Sequence, residues 1–301
     1  MRISNPVYFD LKKTKNIKDR NLLIISRKTR DGNVPVIKDK KTNVIFLKRY
    51  VTGKKYYQDI QLHDDRPLFK KSQKKMNKVL TSSGHISTPF LSDDLRRVNE
   101  FKKIIKNKDI LDFGCGWGNF LSMIKNAKSK NAVEVGKEFL QLIKKNYKDI
   151  NIKENIKDFN ICFDYIFLFH TLHYLPHQIQ ILKEFKTKLK KKGKIIIEVP
   201  HANDLLMILD KFRNFTFCKE QLILHTENSL RSFLKKAGFR KITINYFQRY
   251  NVNNHLGWFI KNLPGGHNFY QNIFGDNSQE EYTNYLKQKK KTDTLIAIAE
   301  K

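Results

Sequence analysis

The feature that most constrains this chain is the run Asp112-Phe113-Gly114-Cys115-Gly116-Trp117-Gly118, directly after the apolar pair Ile110-Leu111. Phe120, Leu121 and Ile124 follow at helical spacing, so the run reads as the turn between a strand and a helix. Glycine at such a turn lets backbone N–H groups approach a ligand closely, at the positive end of the helix. Dinucleotide enzymes place their third glycine later, as GxGxxG. The GxGxG spacing, with Asp112 ahead of the first glycine, favours a ligand with a carboxylate and an ammonium over a pyrophosphate. Asp112 would take the ammonium, directly or through water, and the backbone donors the carboxylate. Glu134 stands at the tip of the next apolar run, Ala132-Val133-Glu134-Val135. An acid there binds ribose hydroxyls. A ligand-free tight turn is the plainer alternative; it leaves Glu134 unexplained.

Around this turn the pattern alternates. Ser92-Asp93-Asp94 reads as a helix start before Leu95, Val98, Phe101 and Ile105. Phe139, Leu140 and Ile143 open another helix, and a weak strand lies near 150–152. Residues 163–169 form a clear strand. A helix is expected from about Pro176 to Leu189, closed by Gly193, before the very apolar strand 194–199. A helix over 229–237 stopped by Gly238, a strand over 241–244 and a final strand over 294–299 complete the series. Strands alternating with helices of this length mean a parallel, doubly wound sheet. Residues 1 to about 60 read instead as short strands: a buried-strand candidate at 22–26, and a hairpin of 34–37 and 43–47 about the polar turn 38–42. Residues 55–80 are polar and expected to be helical or irregular. The expected organisation is a β-rich extension or cap over 1–75 and an α/β domain over 76–301, with an aromatic- and Asn-rich insertion at about 246–291.

These residues carry a family resemblance. ILDFGCGWGNFL with AVEVGKEF resembles the first motif of the class I S-adenosylmethionine-dependent methyltransferases, with its acidic partner. FDYIFLFHTLHYLPHQIQILKEFKTKLKKKGKIIIEVP and the closing DTLIAIAEK are similar to the later strands of that fold. The resemblance implies a Rossmann-like seven-stranded sheet with its last strand antiparallel. It implies S-adenosylmethionine as cofactor, with Asp112, Phe113, Gly114, Cys115, Gly116 and Glu134 as contacts, and Phe169 and His170 beside it. Asp158 is the candidate adenine contact.

Methyl transfer from a sulfonium is an in-line displacement that needs positioning, and a base where the nucleophile must lose a proton. The candidates lie near the carboxyl ends of strands. His170, His173 and His177 follow the 163–169 strand, and His201 follows the 194–199 strand. The segment Lys219–Thr226 resembles one in sugar methyltransferases whose Glu-His pair meets the substrate. Glu220 matches the Glu, Gln221 stands at the His, and His225 comes later. Glu220, His225 and His201 are therefore the candidate bases; each also has a packing or capping reading. Tyr246–Trp258 and Leu263-Pro264-Gly265-Gly266-His267 resemble blocks of methyltransferases found with bacterial surface-polysaccharide genes, as does Asp93–Arg97. Gln, Arg, Asn, His and Trp together suit a hydroxyl-rich or phosphorylated ligand.

Composition supplies the rest. The 301 residues hold 59 Lys and Arg against 29 Asp and Glu, a net charge of +30. Such an excess suits a polyanionic partner, RNA included. The basic residues are mostly Lys spread along the whole length, which favours compositional drift over an RNA-reading patch. Three scattered cysteines give neither a disulfide framework nor metal-ligand spacing, so no metal is expected. No apolar run is long enough to span a membrane, and the N-terminus lacks a secretory pattern, so a cytoplasmic protein is expected. The leading expectation is methyl transfer to a small hydroxyl-rich acceptor, a sugar or nucleotide-linked sugar of cell-surface glycan synthesis. An RNA methyltransferase and a non-catalytic cofactor-binding protein are the alternatives.

Overall fold

A computed structural model of the chain describes residues 2–58, 91–266, 270 and 273–301. Most of the polar stretch 55–80, and His267, lie outside the described residues; the start of that stretch is the short helix Lys54–Gln58. The chain divides into two compact units. One holds Met1–Val51, His170–Lys183 and Ile197–Glu300, the other Thr52–Phe169, Glu184–Ile196 and Lys301.

The N-terminal residues form strands β1 (Leu22–Ser26), β2 (Val36–Asp39) and β3 (Ile45–Leu47), joined antiparallel with the hairpin expected at 38–42. Asp39 fixes that turn: its side chain accepts from the N–H groups of Lys41 and Thr42 at 2.9 and 3.0 Å. The segment 22–26 is not the buried strand its sequence suggests. It is the edge of the small sheet, with Leu23 and Ile24 42% and 44% exposed, because only one neighbour covers it. A helix, Pro6–Lys13, precedes the strands. Asn5 caps it by accepting from Val7 N–H at 3.0 Å, and Pro6 supplies a preset φ at its first turn.

The second sheet holds β4 (Asp109–Phe113), β5 (Ser129–Val133), β6 (Ile150–Lys153), β7 (Phe163–Phe169), β8 (Leu189–Pro200), β10 (Arg240–Phe247) and β11 (Thr294–Glu300). Strand β9 (Ile223–Leu224) belongs instead to the small sheet, paired antiparallel with β3. The order of the large sheet is β10-β11-β8-β7-β4-β5-β6. Strand β4 runs parallel to β5 and β7, β5 parallel to β6, and β11 antiparallel to β10. This is the expected seven-stranded mixed sheet with its last strand antiparallel. Its central strands are nearly continuous apolar runs because both faces are covered: Ile110, Leu111, Ile166, Phe167, Leu168 and Ile195–Ile197 are fully buried. The chain leaves β4 for β5 and β6 on one side and returns as β7 on the other. That reversal opens a crevice at the carboxyl end of β4, where ligands bind in open α/β sheets.

Two helices differ from expectation. The helix Leu91–Phe101 buries Asp93, Arg97 and Phe101, while Leu95 is exposed. The helix expected over 176–189 runs only from Gln178 to Thr187, after a 3₁₀ turn at Leu172–Tyr174. Gly193 does not close it: it lies inside β8, where a Cβ would stand 3.0 Å from the carbonyl oxygens of Phe163 and Lys190. Among the described residues no helix is long and apolar enough to cross a membrane.

Candidate cofactor and active site

The glycine turn follows β4. Gly114, Gly116 and Gly118 have φ of 75°, 53° and 73°, a left-handed conformation that side chains disfavour. The N–H groups of Gly114 and Cys115 donate to the Val133 carbonyl at 2.8 and 3.3 Å, which ties the turn to the end of β5. Gly118 precedes the helix Asn119–Met123, and a Cβ on it would meet Ile143 at 3.1 Å. A Cβ on Gly116 would meet nothing within 4 Å. So Gly118 is small for packing, whereas Gly116 faces open space.

Glu134, the residue after β5, closes the site. Its Oε2 accepts from Gly116 N–H at 2.9 Å; its Oε1 accepts from the N–H groups of Val135 and Gly136 at 2.8 and 2.9 Å. Burial pushes its carboxyl pKa up, against the three backbone donors that hold it down. Asp112 is 3% exposed in β4, level with Ala132 of β5 and Phe167 of β7. The Cys115 thiol lies well above its ordinary range, through burial and then the carboxylates of Glu134 and Asp112. It is therefore a neutral thiol, and the field of the turn is negative. That field suits a cation, and the spare carboxylate lone pairs suit hydroxyl donors.

Phe113 meets Phe185 edge-on, with centroids 4.8 Å apart. Phe169, at the end of β7, packs edge-on against Phe120 at 5.0 Å. The buried guanidinium of Arg97 covers its ring at 4.4 Å and pairs with Asp94 at 2.8 Å. This clamp on Phe169 is absent from the sequence expectations. Arg97 lies 72 positions before Phe169, so only the tertiary structure shows the pair. His170 follows with φ 49°, unusual for a side chain with a Cβ, and its N–H donates to the Glu198 carbonyl at 3.0 Å. Its Nε2 lies 3.9 Å from the buried Glu198 carboxylate. Asp158 is exposed at the end of the 3₁₀ turn Ile156–Asp158.

The candidate bases have different fates. His225 is fully buried: its Nδ1 meets Ser229 Oγ at 3.0 Å and its Nε2 meets Gln178 Oε1 at 2.8 Å. Burial lowers its pKa to about 3. With both nitrogens engaged, it ties the helix Glu227–Lys236 to Gln178 and has no site for an acceptor's proton. His201 lies beside it in a parallel bridge and is 1% exposed. Its Nδ1 meets the Thr292 carbonyl at 2.9 Å, so Nδ1 carries the hydrogen and Nε2 keeps a lone pair. Burial brings its pKa to about 4. Glu220 is half-buried, and its charge adds to the burial that raises the Cys218 thiol to about 11. His173 is buried, with its pKa well below the ordinary value through burial and then the neighbouring His170 and His225.

The block expected to face a hydroxyl-rich ligand is instead spent inside the protein. Gln248, Asn253, Asn254, His255 and Trp258 are all buried. Gln248 Nε2 donates to Asp293 Oδ2 at 2.9 Å and to the Tyr250 carbonyl at 2.7 Å. His255 Nδ1 meets the Tyr282 hydroxyl at 2.7 Å, and Trp258 packs between Phe212 and Phe215. These side chains hold the insertion together.

Residues 85–244, just over half of the chain, match the methyltransferase domain family. The chain belongs to that family, and it is a class I S-adenosylmethionine-dependent methyltransferase. The negative field at Asp112 and Glu134, and the space that a Cβ on Gly116 would enter, fit the cofactor. An uncharacterised protein of Methanocaldococcus jannaschii is 32% identical over 45% of this chain and 38% of its own. Two relatives are named tRNA U34 carboxymethyltransferase. That of Campylobacter fetus subsp. fetus is 23% identical over 46% of this chain and 54% of its own. That of Nautilia profundicola is 26% identical over 51% and 58%. The matches thus span about half the length of these relatives. Among solved structures, a Haemonchus contortus N-methyltransferase in complex with phosphomonomethylethanolamine and S-adenosylhomocysteine shares the fold. Its TM-score is 0.52 at 14% identity, covering 85% of this chain and 62% of that one.

Proposed function

We propose that this methyltransferase acts on RNA, of the tRNA class. The observation that carries the reading is the pair of relatives whose names specify tRNA U34; the net charge of +30, though spread along the chain, has the sign a polyanionic acceptor needs. A chain so basic gains affinity by releasing counterions from phosphates, whatever the sequence it reads. The sugar expectation rested on the region 198–267, with the segment Lys219–Thr226 and the block 246–258; of these, His225, Gln248 and His255 are engaged within the protein. None of the relatives described above carries a sugar-modifying name.

In this reading Asp112, Phe113, Gly114, Cys115, Gly116, Glu134, Phe169 and His170 form the cofactor site. S-adenosylmethionine supplies an electrophilic methyl group on a sulfonium. Asp112 holds the ammonium and Glu134 accepts from the ribose hydroxyls; the N–H groups of Gly114, Cys115 and Gly116 are spent on Val133 and Glu134, so the turn shapes the site rather than donating to the carboxylate. Phe169, held under Arg97, bounds the site. Where the acceptor must lose a proton, the candidates are His201 Nε2 and the Glu220 carboxylate; His225, with both nitrogens bonded, is a positioning residue. Residues 1–75 act as an extension, and 76–301 carry the methyltransferase domain with its insertion at about 246–291. The test offers labelled S-adenosylmethionine with pooled nucleotide sugars and total RNA together. Label in tRNA supports the reading; label in the sugars alone overturns it.

A further inference from the structure

A pocket of about 470 Å³ opens on the small sheet, lined by Leu23, Ile24, Ile45, Met207, Lys38 and Arg213, with Lys40 and Asn43 at its side. The register explains its composition. Leu23, Lys38 and Ile45 are direct partners across β1, β2 and β3, and residues directly opposite point to one face. One lysine is thereby set between two apolar side chains. Lys38 is half-buried, and its pKa is lowered by burial and then by the nearby charges of Lys291 and Arg213. Arg213 pairs with the exposed Asp210 and donates to the Met207 carbonyl at 2.7 Å. Among the described residues, Lys38, Lys40 and Lys291 have no ion-pair partner, and no carboxylate lines the pocket. Of the cations around Lys38, only Arg213 has a carboxylate, Asp210; half-burying Lys38 beside Lys291 still costs stability unless a further anion neutralises them. The volume suits a ligand of nucleotide size.

We propose that this pocket is a second binding site, for a nucleotide phosphate. Lys38, Lys40 and Arg213 take the phosphate; Leu23 and Met207 take the flat face of the sugar and base. The phosphate comes from a free nucleotide or from an RNA strand. In the second case the pocket deepens the RNA reading and rests on it.

The test is calorimetry on the full chain saturated with S-adenosylhomocysteine, so that the cofactor's own nucleoside site is filled. The probes are uridine 5′-monophosphate, uridine and a short oligoribonucleotide. The variant is Lys38→Met, which keeps an apolar stem in the row of β1, β2 and β3; unchanged S-adenosylhomocysteine affinity shows that it folds. The monophosphate is expected to bind wild type at least about tenfold more tightly than uridine, and Lys38→Met to lose about tenfold or more, the worth of one charge-assisted bond. An oligoribonucleotide weakened in parallel assigns the phosphate to RNA, and one left unchanged assigns it to a free nucleotide. A monophosphate bound no better than uridine, or equally by Lys38→Met, overturns the site. RNA methylation is read separately, so its failure alongside intact monophosphate binding removes the RNA reading and leaves the pocket.

Discussion

The Gly116 N–H donates to Glu134 Oε2 at 2.9 Å, so the middle of the glycine turn and the acid after the next strand form one unit. Two further backbone donors, from Val135 and Gly136, end on the same carboxylate. Glu134 therefore organises the turn as well as offering lone pairs to a ligand.

Glu134→Ala leaves three N–H groups without their acceptor. Each bond to a charged group is worth about 1.5–3 kcal/mol. The substitution is expected to lower the melting temperature and to abolish measurable S-adenosylmethionine binding. Glu134→Gln keeps one acceptor oxygen, enough for Val135 and Gly136, but sets its NH2 against the Gly116 N–H; it is expected to melt between wild type and Glu134→Ala while binding the cofactor at least about tenfold more weakly. Thermal melts and calorimetry on both variants check this; unchanged affinity in Glu134→Gln would refute the assigned role.

Gly116 and Gly118 are expected to fail differently. Gly118→Ala combines a left-handed φ of 73° with a Cβ 3.1 Å from Ile143. Strain of about 1–2 kcal/mol then adds to crowding of about 1–3 kcal/mol. Gly116→Ala carries the strain alone, because its Cβ enters open space. Denaturant melts should therefore place Gly118→Ala below Gly116→Ala in stability. The reverse order would contradict the packing described.

Stability should depend on pH through buried groups of opposite sign. Burial, then the neighbouring Asp293, pushes Asp204 up from an ordinary 3.8 to about 8. Its folded form holds the proton more tightly, so its contribution is full at acid pH and is lost as pH rises towards about 8, at up to about 1.4 kcal/mol per unit. Asp204→Asn keeps an acceptor for the Leu206 N–H and should flatten that decline. His201 and His225 act the other way. Their pKa values fall from 6.5 to about 4 and about 3, so their contribution is present above 6.5 and lost as pH falls towards those values. Melts of wild type and Asp204→Asn across pH 4 to 9 check the sign; parallel profiles would exclude Asp204 as the source.

Arg97→Lys keeps a positive charge near Asp94 but loses the planar cover on Phe169. S-adenosylmethionine affinity is expected to fall about threefold to tenfold, on the scale of about 1 kcal/mol for a cation over an aromatic face. Equal affinity in calorimetry would show that Phe169 needs no clamp.

The sheet and the glycine turn were legible because their signals are local. Three glycines at alternate positions, an apolar run before them and Glu134 just after the next strand all fall within 25 residues. The helix Pro6–Lys13 had a local signal too, in Asn5-Pro6, although the segment reads as strands. What escaped depends on distant partners. A two-residue strand such as β9 has no period of its own; it exists because Phe46 and Ile45 offer it an edge. His225 looks like a base in the sequence, and only the fold brings Gln178, 47 positions away, onto its Nε2. The polar run 248–255 suggested a ligand because composition does not reveal burial. The cationic row at Lys38 depends on strand register combined with Arg213 and Lys291.

The most direct test of the cofactor site is calorimetric titration of S-adenosylmethionine into wild type and Gly116→Val at one pH. The valine side chain would project into the space before the turn. One-site binding by wild type, lost in a variant that still unfolds cooperatively, is the predicted result. No binding by wild type, or equal binding by Gly116→Val, would contradict the placement of the cofactor at this turn.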